Sequence, residues 1–351
     1  MKIYLTLVTF LCLFVFAHSA IAVNQAVSTR WDRSSAMAAV RTVNIRIAVD
    51  EIGSVSSLAD GEATLNKLKH LETRSDWPMP AREAALFEFT RSLAGLPRSA
   101  VAAEVMQHLQ NYEAQTLVPH EDHGNTLVPL FNIRGAAFGV ENGWQRTEFA
   151  IDAARLLETD PARLVSAFME SSNHNRRSGY LDALREAGMA DVEAVQLAAV
   201  EQFANAPGLT PMVGLTAVTT RDPLAIQQLL INGRGAGLSS ALRQLDQGLA
   251  ASETATFLIF AVENAPIGNA SLAIAAWWPG LRHVAAIRDL LVDQLADPAL
   301  GGAAALALAQ SPDIQTIRIL QDTAAGNTLA ARRAQMALDI NRDRLVGEIQ
   351  P

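Results

Sequence analysis

Apolar side chains recur along most of the chain with the spacing that buries one face of an α-helix. The clearest stripes combine positions three, four and seven residues apart, and no alternating apolar–polar run of comparable length competes with them. The stripes are Ala81, Ala85, Phe89 and Leu93; Ala102, Val105, Met106 and Leu109; Phe149, Ala153, Leu156 and Leu157; and Val284, Ile287, Leu291 and Leu295. The pattern predicts an all-α protein.

Three Asp-Pro pairs mark predicted helix starts, at residues 160–161, 222–223 and 297–298. An aspartate before a helix accepts hydrogen bonds from the unpaired first N–H groups, and a proline in the first turn loses no hydrogen bond. Residues 311–312, Ser-Pro, form a variant of the same arrangement. These starts, with short connections between them, predict a succession of helix pairs.

The helical pattern divides the chain into three predicted parts. Residues 1–22 form a leader, residues 23–78 an N-terminal region of one or two helices, and residues 79–351 the main helical domain. The break at residue 78 rests on the segment 77–80, because its two prolines do not fit inside a helix. Within the main domain, residues near 113–128 are predicted to form an irregular loop.

Helical segments rich in alanine and leucine recur in the C-terminal third, about every 30 residues. Residues 297–307 and 327–338 resemble HEAT-type helical repeats of the phycobilisome-lyase-like kind. The resemblance is clearest over residues 210–340, whereas residues 80–203 share with it only generic helix pairs. It implies an irregular α-solenoid of antiparallel helix pairs with a concave binding face, and it implies no single activity. An irregular α-helical domain is the alternative.

The first 22 residues have the form of a cleavable secretory signal. Lys2 supplies a positive charge, an apolar run follows, and the small residues Ala20 and Ala22 provide the cleavage site. Cys12 lies in the middle of the apolar run and follows Leu11, which argues against a lipoprotein. No later stretch is long and apolar enough to cross a bilayer. We therefore predict a periplasmic or secreted bacterial protein whose mature chain has no transmembrane span.

Composition argues against several chemistries in the mature chain. Cys12 is the only cysteine and leaves with the leader, so disulfides, thiolate nucleophiles and cysteine metal sites are not expected. The formal net charge of −8 argues against a nucleic-acid partner, because such binding usually requires a basic surplus. No Gly-x-Ser-x-Gly nucleophile elbow is present. Residues 233–237 are rich in glycine, but they follow a helical segment and are predicted to form a turn between repeats.

The most distinctive polar stretch is the run His120, Glu121, Asp122 and His123 in the predicted loop. Imidazole nitrogens and carboxylate oxygens are ligands for zinc and other divalent metals, and an open metal site can activate water. The spacing matches no established metal signature, and adjacent loop residues rarely bind one metal without distant ligands. The alternative is a polar turn whose side chains cap the flanking segments.

A second polar stretch, residues 170–180, includes His174. Together with Arg134, Arg146 and Trp144 it offers guanidinium groups and an aromatic ring to an anionic or glycan ligand. The alternative is a solvated loop between helices.

Two adjacent tryptophans, Trp277 and Trp278, precede a Pro-Gly pair that is predicted to end their helix. Neighbouring helical positions point about 100° apart. One possibility is that one ring is exposed to a partner, and Trp278 is the candidate for this ring. The alternative is that both rings pack between successive repeats.

The sequence favours an exported helical-repeat scaffold or adaptor that binds a protein or a cell-envelope component. The rival is a metal-assisted hydrolase or a glycan-acting enzyme that uses the loop from His120 to His123. An enzyme is the less favoured reading, since no nucleophile motif is present. A divalent metal at that loop is the one cofactor that the sequence leaves open.

Overall fold

The computed structural model describes residues 29–55 and 60–347, so the predicted leader lies outside the described residues. These residues fall into two compact units that divide between Glu141 and Asn142. The described part of the chain contains eighteen α-helices and three short strands, which confirms the prediction of an all-α protein apart from the small sheet. None of the helices in the described ranges is both long and apolar enough to cross a membrane.

The first unit contains five helices, a small sheet and the beginning of α6. Its helices are α1 (Arg33–Val40), α2 (Ile45–Val55), α3 (Gly61–Thr73), α4 (Met79–Ser92) and α5 (Ala100–Gln110), with a 3₁₀ turn at Leu93–Gly95. The helices α1 and α2 contact α4, and α3 contacts both α4 and α5. The region predicted at residues 23–78 therefore packs with helices that the sequence assigned to the main domain, and the division lies within α6 instead of at residue 78.

The predicted irregular loop near 113–128 is largely a β-hairpin. Strand β2 (Thr116–Pro119) pairs antiparallel with β3 (Leu127–Pro129), and β1 (Thr29–Arg30) pairs parallel with β2. No sequence pattern indicated these strands, because three or four residues are too few to establish a period of two.

Glu83 of α4 anchors the start of the hairpin. Its carboxylate is fully buried and accepts hydrogen bonds from the backbone N–H of Thr116 at 3.0 Å, from that of Gln115 at 2.5 Å, and from the Tyr112 hydroxyl at 3.1 Å.

The second unit is built from helices that follow one another with short connections. They are α6 (Ile133–Thr159), α7 (Pro161–Glu170), α8 (His174–Glu186), α9 (Met189–Phe203), α10 (Thr210–Thr220), α11 (Pro223–Asn232), α12 (Gly235–Gly248), α13 (Ala251–Asn264), α14 (Ile267–Leu281), α15 (Ala285–Gln294), α16 (Gly301–Ala309), α17 (Ile314–Ala324) and α18 (Leu329–Gly347). A 3₁₀ turn, Pro207–Leu209, precedes α10.

Alternate helices of this unit contact each other in two series. In the even series α8 contacts α10, and contacts continue through α12, α14 and α16 to α18; in the odd series they run from α7 through α9, α11 and α13 to α15. Consecutive helices join the two series, for example α10 with α11 and α13 with α14. Buried aliphatic and aromatic side chains form one hydrophobic cluster from Ala153 to Ala337.

Two of the three predicted Asp-Pro helix starts are confirmed. Asp160 and Asp222 cap α7 and α11, and each accepts a hydrogen bond from the backbone N–H three residues later. Asp297 instead accepts N–H groups within a turn, and α16 begins only at residue 301. The predicted Ser311 cap is wrong, because Asp313 caps α17 through the N–H of Thr316 at 2.9 Å.

Polar side chains tie helices of the second unit to the carbonyl groups of earlier segments. Asn269 of α14 donates to the carbonyl of Leu230 at 2.8 Å and to that of Gly233 at 3.1 Å. In α18, Asn341 donates to the carbonyl of Ala309 at 2.8 Å, and Arg333 to that of Leu295 at 2.9 Å. These bonds satisfy carbonyl groups that the ends of the earlier helices leave without an intrahelical donor.

Candidate functional site

The four polar residues predicted as a binding loop lie at the tip of the hairpin. The hairpin is closed by hydrogen bonds from the His120 N–H to the Thr126 carbonyl at 2.8 Å and from the Thr126 N–H to the His123 carbonyl at 2.7 Å. The rings of His120 and His123 are stacked with their centroids 5.3 Å apart. Glu121 is exposed and lies 3.5 Å from Arg33.

These contacts agree with the alternative of a polar turn. The Nδ1 atom of His120 accepts the backbone N–H of Asp122 at 3.1 Å, which is a local turn contact. No group of three or more His, Cys, Asp or Glu side chains comes within metal-binding reach of one another in the described parts of the chain. His108 of α5 pairs with Glu72 of α3 at 2.6 Å.

The structure brings only part of the second predicted cluster together: α8 lies against α6 at Arg146, but the Arg146 guanidinium pairs with Asp182. Arg134 is exposed, 5.8 Å from the ring centroid of Phe138 on the same helix, whereas Trp144 is buried. The packing of α6 places the Trp144 ring in the core, so it offers no surface to a ligand. His174 is the exposed first residue of α8, so the stretch predicted as a loop is helical from this residue onward.

Both tryptophans of α14 are buried. The indole N–H of Trp277 donates to the Leu242 carbonyl of α12 at 2.8 Å, and Trp278 is only 1 % exposed. Neither ring is at the surface, because α14 contacts helices of both series. The helix also continues past Pro279 to Leu281, since a proline in the last turn removes only one helical hydrogen bond.

A groove that the sequence reading missed lies between α6 and α8. Gly179 of α8 allows the close approach of the two helices, because a Cβ at this position would overlap the carbonyl oxygen of Arg146 and lie 2.8 Å from the Cβ of Phe149. Next to this crossing, Arg146 forms an ion pair with Asp182. The sequence shows a glycine within a helical stretch at this position, but it does not show which helix packs against it.

The floor of the groove is apolar and its rim is acidic. The cavity measures about 410 Å³ and is lined by Thr147, Ala150, Ile151, Ala154, Leu157, Glu158, Asp182, Ala183, Glu186, Ala187 and Asp191. Ile151 is 51 % exposed although it lies among small apolar residues. Among the described residues, none that lines the cavity is a lysine or an arginine, so the lining is complementary to an apolar side chain and a cation.

In the middle of the even series, α10, α12, α14 and α16 contain few charged residues, whereas the helices at its two ends, α8 and α18, contain five and six. Helices α10, α14 and α16 contain no charged residue, and α12 contains only Arg243 and Asp246. In the odd series α7, α9, α13 and α15 each contain two or three charged residues, and α11 contains none. Because α10, α14 and α16 contact helices on either side and in the odd series, their exposed mid-helix residues face outward. We call this surface the even-helix face and define it by Leu215, Gln244, Leu272 and Leu306.

Comparisons with protein-family models, curated proteins and solved structures gave no match for this chain. A function for the protein is therefore inferred from its own geometry.

Proposed function

We propose that the protein is an exported α-solenoid of irregular, HEAT-like helix pairs that serves as a scaffold or adaptor for a protein or cell-envelope partner. The two series of contacts between alternate helices support the solenoid, because stacked repeats contact mainly their neighbours. The form of the first 22 residues supports export.

The observation that carries the binding role is the even-helix face. Leu272 is 37 % and Leu306 53 % exposed, and they lie on helices without charged residues. Scattered exposed apolar side chains are ordinary, but four neighbouring helices of the even series, α10, α12, α14 and α16, that together contain only two charged residues are suited to a macromolecular partner. The metal-assisted alternative has no comparable support, since its four side chains form a hairpin tip.

Site-directed cross-linking tests this proposal. The only cysteine, Cys12, lies in the predicted leader, so Leu272→Cys and Leu306→Cys in a Cys12→Ala background each provide a single reactive thiol. After expression in the native host, the thiol is labelled with a reagent that carries a thiol-reactive group and a photoreactive group, and on irradiation both variants are expected to yield the same discrete cross-linked species. Leu197→Cys on α9, where the side chain is 75 % exposed, is the matched control and should yield none.

Two results would count against the proposal: the absence of a cross-linked species from either position on the even-helix face, and a species of equal yield from position 197. Fractionation of the same cells tests export, because the mature protein should leave the cytoplasm with its leader removed.

A further inference from the structure

We infer that the groove between α6 and α8 is the docking site for a short basic, amphipathic helix of the partner protein. This inference rests on the proposed adaptor function and adds to it the chemistry of the bound segment. The shape of the groove, its apolar floor and the sign of the charge at one of its ends support this assignment.

The floor of the groove suits the apolar stripe of a helix. Ala150 and Ala154 of α6 and Ala183 of α8 are small, so a third helix can approach closely between the two. Ile151 supplies a large exposed apolar contact in the same groove. A volume of about 150 Å³ holds a benzene-sized group, so a 410 Å³ groove has room for more than one large side chain.

The length of the groove sets the length of the bound segment. Its lining on α6 runs from Thr147 to Glu158, which spans about 16 Å at 1.5 Å per helical residue. A bound helix of about three turns covers that distance. Amphipathic helices that bind in grooves present anchors at this spacing.

One end of the groove is strongly negative. Glu158 lies at the end of α6, Glu186 is the last residue of α8, and Asp191 lies in the first turn of α9. Within the described residues, none of these three carboxylates has a hydrogen bond or an ion pair with a cationic side chain. The C-termini of α6 and α8, each with a partial negative charge of about one half, lie at the same end.

The fourth carboxylate of the groove is already neutralised. Asp182 accepts hydrogen bonds from Arg146 and from Arg185, both at 2.5 Å, and the Arg146 guanidinium lowers the pKa of its carboxyl group. The free charge is thus confined to one end. The arrangement favours a helix whose apolar stripe lies over Ile151 and whose lysine or arginine side chains reach Glu158, Glu186 and Asp191.

Peptide binding to the full mature protein tests the inference. The probe is a fluorescent fourteen-residue helix made of leucine and alanine with lysines at one end, and the control peptide has glutamate in place of lysine. In fluorescence anisotropy at low salt, the lysine peptide is expected to bind and the glutamate peptide to bind at least about tenfold more weakly. Added salt should weaken the binding of the lysine peptide.

Matched variants assign the binding to the groove. Glu158→Gln combined with Glu186→Gln is expected to weaken binding about tenfold, whereas Glu193→Gln combined with Glu201→Gln on α9 should leave it unchanged. Ile151→Ser is expected to weaken binding as well, with Leu197→Ser as its control. Unfolding curves of all variants check that the fold is intact.

Equal affinity of the two acidic double variants would overturn the inference, and so would equal binding of the two peptides. Binding of the protein to vesicles of anionic lipid, lost in Ile151→Ser, would assign the groove to a membrane instead. A dimer in sedimentation equilibrium that Ile151→Ser dissociates would assign it to a second copy of the chain.

Cross-linking at Leu272 and Leu306 without peptide binding would reject this inference alone, and peptide binding without cross-linking would reject the proposed even-helix face.

Discussion

Glu83 shows how a single side chain fixes the hairpin of the first unit. A buried carboxylate is costly unless its oxygen atoms are fully hydrogen-bonded, and here two backbone N–H groups and a hydroxyl meet that need. Burial and the nearby Glu83 carboxylate raise the pKa of Tyr112, so its hydroxyl stays a donor at neutral pH. The carboxylate thereby holds the first residue of β2 against α4.

Replacing Glu83 is expected to destabilise the protein strongly. Gln115 and Thr116 donate to different carboxylate oxygens, and Glu83→Gln replaces one of these oxygens with an NH₂ group, so one of the two backbone N–H donors loses its acceptor. We expect a loss of about 2–4 kcal/mol in the free energy of unfolding, measured by urea denaturation. Glu88→Gln on the same helix, where the side chain is exposed beside Arg91, is the control and should change it by less than about 0.5 kcal/mol. A loss in Glu83→Gln as small as in this control would contradict the anchoring role.

The histidines of the hairpin tip should contribute little to stability. His123 is exposed, His120 is half-buried, and their contacts are a ring stack and local turn hydrogen bonds. We expect His120→Ala and His123→Ala to lower the free energy of unfolding by less than about 1 kcal/mol each. A loss of more than about 2 kcal/mol would mean that these rings are structural side chains of the first unit.

At the scale of secondary-structure elements, close approach of helices depends on small residues at the crossings. Gly179 brings α8 against α6, and Gly214 of α10 faces Ala241 of α12, where an added Cβ would lie 2.9 Å from the Ala241 Cβ. The crossing of α10 and α12 lies within the even series, and the crossing of α6 and α8 joins α6 to the first helix of that series. The spacing of these helices, and with it the width of the groove, is therefore sensitive to single methyl groups.

Gly179→Ala is expected to destabilise the α6–α8 crossing. The new methyl group collides with the backbone of α6 at Arg146, and the helices must separate to relieve the overlap. We expect a loss of about 1–3 kcal/mol in thermal or urea unfolding, together with weaker binding in the groove.

Gly143→Ala on α6 is the matched control, because no atom lies within 4 Å of an added Cβ there. Alanine has the higher helix propensity, so this variant should be more stable by roughly 0.5–1 kcal/mol. If Gly179→Ala were also more stable than the original protein, the close approach of α6 and α8 would not require a glycine at position 179.

At the scale of the whole molecule, ionised aspartates support the fold at neutral pH. Hydrogen bonds or ion pairs lower the pKa of five described aspartate side chains, namely Asp32, Asp76, Asp182, Asp297 and Asp313. Asp246 differs, because partial burial without a cationic partner raises the pKa of its carboxyl group. The lowered pKa values outnumber the raised one among the described residues.

Stability is therefore expected to fall in acid. An aspartate whose folded pKa lies below its ordinary value of 3.8 contributes stability that is fully present above that value and is lost as the pH falls below it. Urea midpoints measured from about pH 7 down to about pH 3 should decline mainly below about pH 4. Asp297→Asn and Asp313→Asn should each flatten this decline, and a pH-independent midpoint in the original protein would refute the prediction.

Much of the helical architecture follows from the sequence, but the candidate site does not. The 3.6-residue stripes and the Asp caps of α7 and α11 are local signals. Each of these two signals correctly predicted helices that the structure contains. The hairpin was missed because its strands are three and four residues long. The buried position of Trp278 and the groove beside Gly179 depend on helices far apart in the chain, so no local pattern could reveal them.

The sequence by itself determined the helical class, the capping of individual helices and the scarcity of charged residues in α10, α12, α14 and α16, because each depends on residue type and short-range spacing. Only the tertiary structure decided which helices are neighbours, that the division of the chain falls within α6, and that Ile151, Glu158 and Glu186 surround one groove. The reason is physical: contacts between α6 and α8 join residues some thirty positions apart, and packing of the whole unit selects them.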